Sequence, residues 1–252
     1  MRRGFTLIEL LVVIVILAIL ALLVTGGVRG ALARSQAAGS LSNLRQWGVG
    51  ATSYADDNGD WMPWDGEDNV ASNFGVKEWW ANGVPPYLAQ LGYKDVTTAA
   101  AAGSARLPLP PTRSIFIDPS AKMPANAPYR SGAFRYFFCY VPNSAMNSSV
   151  SGAGVAKRLK MGNVPQADRT AHLVEMRTVP QEIPENDPWY GQTLDRAKAN
   201  WKRFAGRHNK GGHILFVDGH AAWLSYKRAT AAGSGGDNNN ADVIWNPLGP
   251  AT

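Results

Sequence analysis

The apolar and polar positions change character at about residue 25. Residues 5–24, FTLIELLVVIVILAILALLV, are apolar apart from Thr6 and Glu9. At about 1.5 Å per residue such a helix spans roughly 30 Å, the depth of a bilayer's hydrocarbon core. Further on the pattern becomes periodic. Leu41, Leu44, Trp47, Gly48, Ala51 and Tyr54 recur three and four apart, one stripe suited to packing on a sheet. Arg34, Gln36, Asn43 and Arg45 fall on the polar face, and DDNGD at 56–60 is a stop signal. The pattern predicts one helix over residues 5–57. Gly26, Gly27 and Gly30 soften it where it leaves the bilayer, each costing up to about 1 kcal/mol relative to alanine.

The remainder predicts an α+β domain: the long helix packed on a small antiparallel sheet with loop-rich insertions. A short helix is expected near 86–91. Residues 95–114, rich in Ala and Pro, read as an exposed connection. SIFIDPS (114–120) reads as a short strand and turn, FRYFFCYVPNSAMN (134–147) as a strand and turn, and KMGNVPQADRTAHLVEM (160–176) as a loop feeding a strand. GGHILFVDGHAAWLSY (211–226) reads as a β-hairpin. Asp218-Gly219 predicts a two-residue type I′ turn with positive φ at both positions. That register sets Val217 opposite His220, Leu215 opposite Ala222 and His213 opposite Leu224, with Ile214, Phe216, Ala221 and Trp223 on the buried face.

Glu9 is the anomaly, because a carboxylate at the middle of a membrane helix costs roughly 2.5 to 3.5 kcal/mol. A secretory signal peptide would have Arg2 and Arg3 as its basic region, but Glu9 stands where its apolar core should begin and no A-x-A-like site follows. A plain anchor leaves Glu9 unexplained. Cleavage between Gly4 and Phe5 would create an amino terminus about one helical turn from Glu9, giving it a cation from its own or a neighbouring chain.

RRG-FTLIE resembles the leader of type IV prepilins and type II secretion pseudopilins: a short basic leader ending in Gly4, then Phe5, with Glu9 at the fifth mature position. The resemblance implies a prepilin peptidase that cuts after Gly4 and N-methylates Phe5. It also implies assembly with other pilin or pseudopilin subunits through Glu9, on an inner-membrane platform. The chain would be a single-pass inner-membrane protein with its C-terminal domain in the periplasm, later part of a periplasmic or surface filament. The expected division is a leader at 1–4, a membrane and filament-core half-helix at 5–25, an amphipathic half at 26–58 and a β-rich domain at 59–252. RHNKGGHILFVDGHAAWL, with nine residues between His208 and the Asp218-Gly219 pair, is similar to the terminal signature of a planctomycete and verrucomicrobial-type pseudopilin-like family. LSNLRQWGVGATSYADDNGDWMP, FIDPS, YVPNSAMN and VPQADRTAHLVEM are similar to the same family. Its frequent cysteines are replaced here by Gly39 or Ser40 and by Asp118.

Charge and chemistry narrow the reading further. The 252 residues carry a formal charge of +6, and losing Arg2 and Arg3 with the leader lowers it to +4, without the clustering of a nucleic-acid footprint. Cys139 is the one cysteine, so an intrachain disulfide is impossible, and a buried role is expected for it. His208, His213, Asp218 and His220 invite a metal reading. On the predicted register His213 and His220 stand about 13 Å apart, too far to share an ion. His208 is expected to bond Asp218 or backbone at the hairpin base. YADDNGDW (54–61) and GGDNNNAD (235–242) are oxygen-rich, and the first lacks an EF-hand's glutamate; the resemblance to major pseudopilins makes calcium at the second a minor expectation, and no other cofactor is expected. Nine tryptophans fill a loop-rich core or, if Trp61, Trp64, Trp79 and Trp80 are exposed, stack on sugars or a partner. No phosphate loop, nucleophile elbow or carboxylate pair points to an enzyme. A pseudopilin-like structural subunit is the expectation; a surface adhesin or glycan-binding module on a pilin-type anchor is the alternative.

Overall fold

The computed structural model describes residues 5–67, 70–104, 106–124, 136–146, 158–194, 196–231 and 239–248, with backbone alone at 23–26. Helix α1 (Leu7–Asp57) runs 51 residues and continues through Gly26, Gly27 and Gly30. Its apolar stripe is buried as its spacing predicts: Leu44, Trp47, Ala51 and Tyr54 are all in the core. The polar face is less solvated than expected. Asn43 donates to the carbonyls of Ser114 and Ile117 (3.2 and 3.1 Å), and Gln36 to that of Pro119 (3.2 Å), so both clamp the 114–119 loop onto the helix.

Strands β1 (Tyr140–Pro142), β2 (Ala171–Glu175), β3 (Gly211–Phe216) and β4 (Ala221–Ser225) form one antiparallel sheet in that order. With α1 across it, this is a pilin-like α+β fold. Gly48 lets the helix approach closely: a Cβ there would lie 2.9 Å from Leu215 Cδ1 and 3.0 Å from the Gly219 carbonyl oxygen. Every residue of β3 is buried, whereas Trp223 of β4 is 42% exposed. Short helices α2 (Val70–Asn73) and α3 (Trp80–Gly83), a 3-10 turn at Pro85–Leu88 and helix α4 (Tyr93–Ala101) carry an aromatic cluster against α1. Trp47 meets Trp80 and Phe116 at centroid distances of 5.2 and 5.3 Å, and Tyr93 meets Phe138 at 4.6 Å. The Trp47 indole also donates to the Ile115 carbonyl at 2.7 Å. A four-residue helix, α5 (Tyr226–Ala229), follows β4.

Three elements differ from expectation. The first half of the Ala-rich stretch is α4 rather than an open connection, since alanine has the highest helix propensity and Tyr93 anchors the first turn in the core. SIFIDPS forms a turn closed by a Ser114–Ile117 bridge rather than a strand. The hairpin is one residue out of the predicted register: His213 pairs with Trp223, Ile214 with Ala222 and Leu215 with Ala221. Its loop has three residues, not two. Gly219 N donates to Phe216 O (3.0 Å) and Phe216 N to His220 O (2.9 Å), a type I turn closed by a glycine bulge. Only Gly219 of the pair has positive φ (+90°). The shift puts Trp223 on the face of His213, with its indole donating to the His208 carbonyl at 2.8 Å, and stacks His220 on Phe216 at 4.5 Å.

Positive φ at Gly219 alone sets an order of costs. A β-branched side chain there should destabilise the domain by about 1–2 kcal/mol. Asp218→Val loses only exposed bonds to His220 and should cost less. Denaturant unfolding of the full chain in detergent micelles, followed by tryptophan fluorescence, compares them; an Asp218→Val loss as large as that of Gly219→Val would contradict the three-residue loop.

Candidate functional site

Two regions hold the residues that the sequence singles out. The first is the start of α1. Of the Gly4–Phe5 pair, Gly4 lies outside the described residues, and Phe5 is exposed. From Phe5 to Leu22 every side chain is exposed, and among the described residues α1 is the one helix long and apolar enough to cross a membrane. Thr6 is its N-cap. The Thr6 amide and hydroxyl both donate to Glu9 Oε2 at 2.8 Å, and Glu9 N donates to the Thr6 hydroxyl at 3.3 Å. This is a reciprocal capping box, which satisfies backbone donors that a helix start otherwise leaves open. Thr-x-x-Glu is a sequence-level signature of it, hidden here by attention to the charge.

The second region is a buried charge cluster between α1 and the sheet. Tyr140 and Glu175 pair across β1 and β2. His213 of β3 donates its amide to Glu175 Oε2 (2.9 Å) and sets Nδ1 2.8 Å from Oε1. Ser40 of α1 bonds Glu175, Asp118 (3.1 Å) and the Tyr140 hydroxyl (2.9 Å). His208 Nε2 lies 2.8 Å from Asp118 Oδ2 and 3.5 Å from Glu175 Oε1. Arg207 stands 3.8 Å from Asp118 and 3.2 Å from Glu182. All of the Ser40, Asp118, Glu175, His208 and His213 side chains are buried.

The hairpin motif therefore works differently from expectation. His208 does bond backbone at the hairpin base, exchanging amide bonds with Gly211 (2.9 and 3.1 Å), but its side-chain partner is Asp118, ninety positions away, not Asp218. Asp218 caps its own turn, with Oδ1 2.7 Å from His220 Nδ1. The His213–His220 pair is not brought together. His208 and His213 are: with Glu175 they place ligand-type atoms within 4.8 Å of one another. That set escaped sequence reading because Glu175 sits unmarked in an apolar strand.

The oxygen-rich stretches are in structural use. Asp60 accepts the Gly162 amide at 3.0 Å, and Asp242 pairs with Arg228; residues 235–238 lie outside the described residues. Trp64, Trp79 and Trp80 are core, and Trp61 is partly exposed beneath Arg158 and Lys160.

Residues 1–25 match the family model of the prokaryotic N-terminal methylation motif. The motif implies processing by a prepilin peptidase and assembly with other pilin subunits, and it accords with membrane anchoring through α1. Neither the curated proteins nor the solved structures contain a match to the chain.

Electrostatics of the buried cluster make it pH-sensitive. Burial acts to lower the His208 pKa, but bonds to Asp118 and Glu175 outweigh it and raise the value to about 9. Burial acts to raise Glu175, but His208 and His213 hold it well below the usual carboxylate range. Burial alone lowers His172 to about 4. The His208 contribution is complete below about pH 6.5 and is lost as pH rises toward 9. The Glu175 contribution is present above about pH 4.5 and lost below it, while His172 favours the fold above about 6.5 and loses its contribution toward 4. Thermal midpoints, taken with a chelator present, should peak near pH 6.5. The decline between about pH 6.5 and 9 should vanish in His208→Gln, while the buried Cys139 thiol, pushed up to about 12 by burial, still lowers stability at higher pH; an unchanged decline from about 6.5 to 9 would remove His208 as its source.

Proposed function

We propose that this chain is a pseudopilin-like structural subunit, made as a membrane-anchored precursor and assembled into a type II secretion pseudopilus or type IV pilus-like filament. The observation that carries the reading is the bare apolar half of α1, which carries the methylation motif and Glu9 and is exposed among the described residues. Such a surface needs lipid first and neighbouring helices later. The leader would end at Gly4, with Phe5 as the methylated terminus, residues 5–25 as the filament core, 26–58 as the stem and 59–252 as a periplasmic domain. Arg2 and Arg3 favour that orientation by the positive-inside rule. An inner-membrane assembly platform and further pilin subunits are the partners. Burial of Trp64, Trp79 and Trp80 counts against the tryptophan groove that an adhesin or glycan-binding reading would use.

Processing is tested first. Gly4→Leu should leave full-length precursor in membranes that contain an active prepilin peptidase, read by intact mass; a wild-type chain that keeps residues 1–4 there would reject the reading.

Glu9 has two roles to separate. Both capping bonds fall on Oε2, so Oε1 remains suited to the amine of a neighbouring Phe5. Glutamine preserves a capping box but not the charge. Glu9→Gln should therefore be inserted and cleaved normally yet yield several-fold less sheared filament than wild type. Thr6→Ala, which loses the capping hydroxyl and keeps the charge, should assemble better than Glu9→Gln. The reverse order would assign Glu9 to helix capping alone.

A further inference from the structure

The cluster under α1 has the composition of a metal centre. Glu175 Oε1, His208 Nε2 and His213 Nδ1 converge from β2, the segment before β3, and β3 itself. Ligands of a tetrahedral zinc ion, at bonds of about 2.1 Å, lie about 3.4 Å apart. Glu175 Oε1 stands 3.5 Å from His208 Nε2 and 2.8 Å from His213 Nδ1, and the ligand-type atoms of the three residues all lie within 4.8 Å of one another, so an ion among them requires the side chains to close in round it. Asp118 Oδ2, 2.8 Å from His208 Nε2, borders the set.

We propose that Glu175, His208 and His213 form a site for one divalent transition-metal ion of the zinc type. Two imidazoles with a carboxylate suit a borderline ion; calcium prefers six to eight oxygens. Charge permits it: Arg207 stands between Asp118 and Glu182, with Glu175 beside His208, and an ion held by neutral imidazoles takes the place of a proton on His208. Outer-shell bonds are in place, since Ser40 reaches Glu175 and Asp118, and Ser120 donates its amide and hydroxyl to Asp118 Oδ1 at 2.7 Å. An entry route exists: a cavity of about 460 Å³ between Ala37 of α1 and Trp223 is lined by His208 and His213. An ion held there would fasten β2, β3 and the segment before β3 beneath Ser40, stiffening the seat of the stem helix.

The full chain, in detergent and stripped with EDTA, is titrated with zinc sulfate. Bound zinc is measured by mass spectrometry after gel filtration, and unfolding by tryptophan fluorescence. The expected result is about one ion per chain with a midpoint raised on the order of 5 °C. His208→Gln and His213→Gln should each weaken binding more than about tenfold, whereas His220→Gln should match wild type. Should the two cluster variants fail to fold, cobalt(II) added to the wild-type chain provides the second reading: intense visible bands of a tetrahedral centre are expected. Absence of stoichiometric zinc, loss of binding in His220→Gln but not His213→Gln, or weak octahedral cobalt bands only, would each overturn the proposal.

Discussion

One unbroken helix has to satisfy two environments, and the arrangement of the rest follows from that. From Phe5 to Leu22 the side chains of α1 are exposed, as they are again from Gly27 to Ser35, Val28 and Leu32 included. From Gln36 onward the helix is seated on the domain, which must grip it through about its last six turns alone. The grip is close-packed: Trp47 lies under Trp80 and Phe116, and Gly48 admits Leu215 and the hairpin loop to contact distance.

Ser40 is the first fully buried residue of that grip, and it sits over charge rather than over apolar side chains. Buried ion pairs are weak contributors to stability, and well-packed apolar groups often replace them without loss. What they add here is orientation. Leu44 or Tyr54 would be satisfied by any apolar surface, whereas Ser40 meets Glu175, Asp118 and Tyr140 in a single rotational and axial setting of α1. A helix expected to bear load from neighbours gains from a seat that a one-turn slip would leave with unpaired carboxylates.

What was legible in the sequence was local or periodic. The membrane-length run is a one-dimensional property, and Leu44, Trp47, Ala51 and Tyr54 announce their face by spacing. The four-stranded sheet could be outlined because 171–175 and 211–225 alternate between turn signals. Register was not legible, because Asp-Gly fits a two-residue type I′ loop and a three-residue loop equally well; the hydrogen bonds of Phe216 decide it. Asp118 and His208 are separated by ninety positions, and no periodicity joins them. Residues 95–101 were obscured by composition: the run that looked like low-complexity linker is strong helix former once Tyr93 is fixed.

Glu9 and Glu175 show two ways of keeping a carboxylate among apolar neighbours, and the difference bears on what each is for. Glu175 has both oxygens engaged, Oε2 by the His213 amide and Oε1 by Ser40 and His213. Its partners come from three separate segments, so releasing it means opening the core. Among the described residues Glu9 is held by Thr6, three residues away, through one oxygen and on an exposed surface. Local bonds of this kind travel with the helix and need no rearrangement when the surroundings change. They lower the cost of placing the carboxylate among apolar side chains while leaving its charge incompletely neutralised. In the proposed filament, where Glu9 would first tolerate lipid and then pair with a second chain's amine, that combination is what is required: enough local bonding to be carried, and too little to be satisfied.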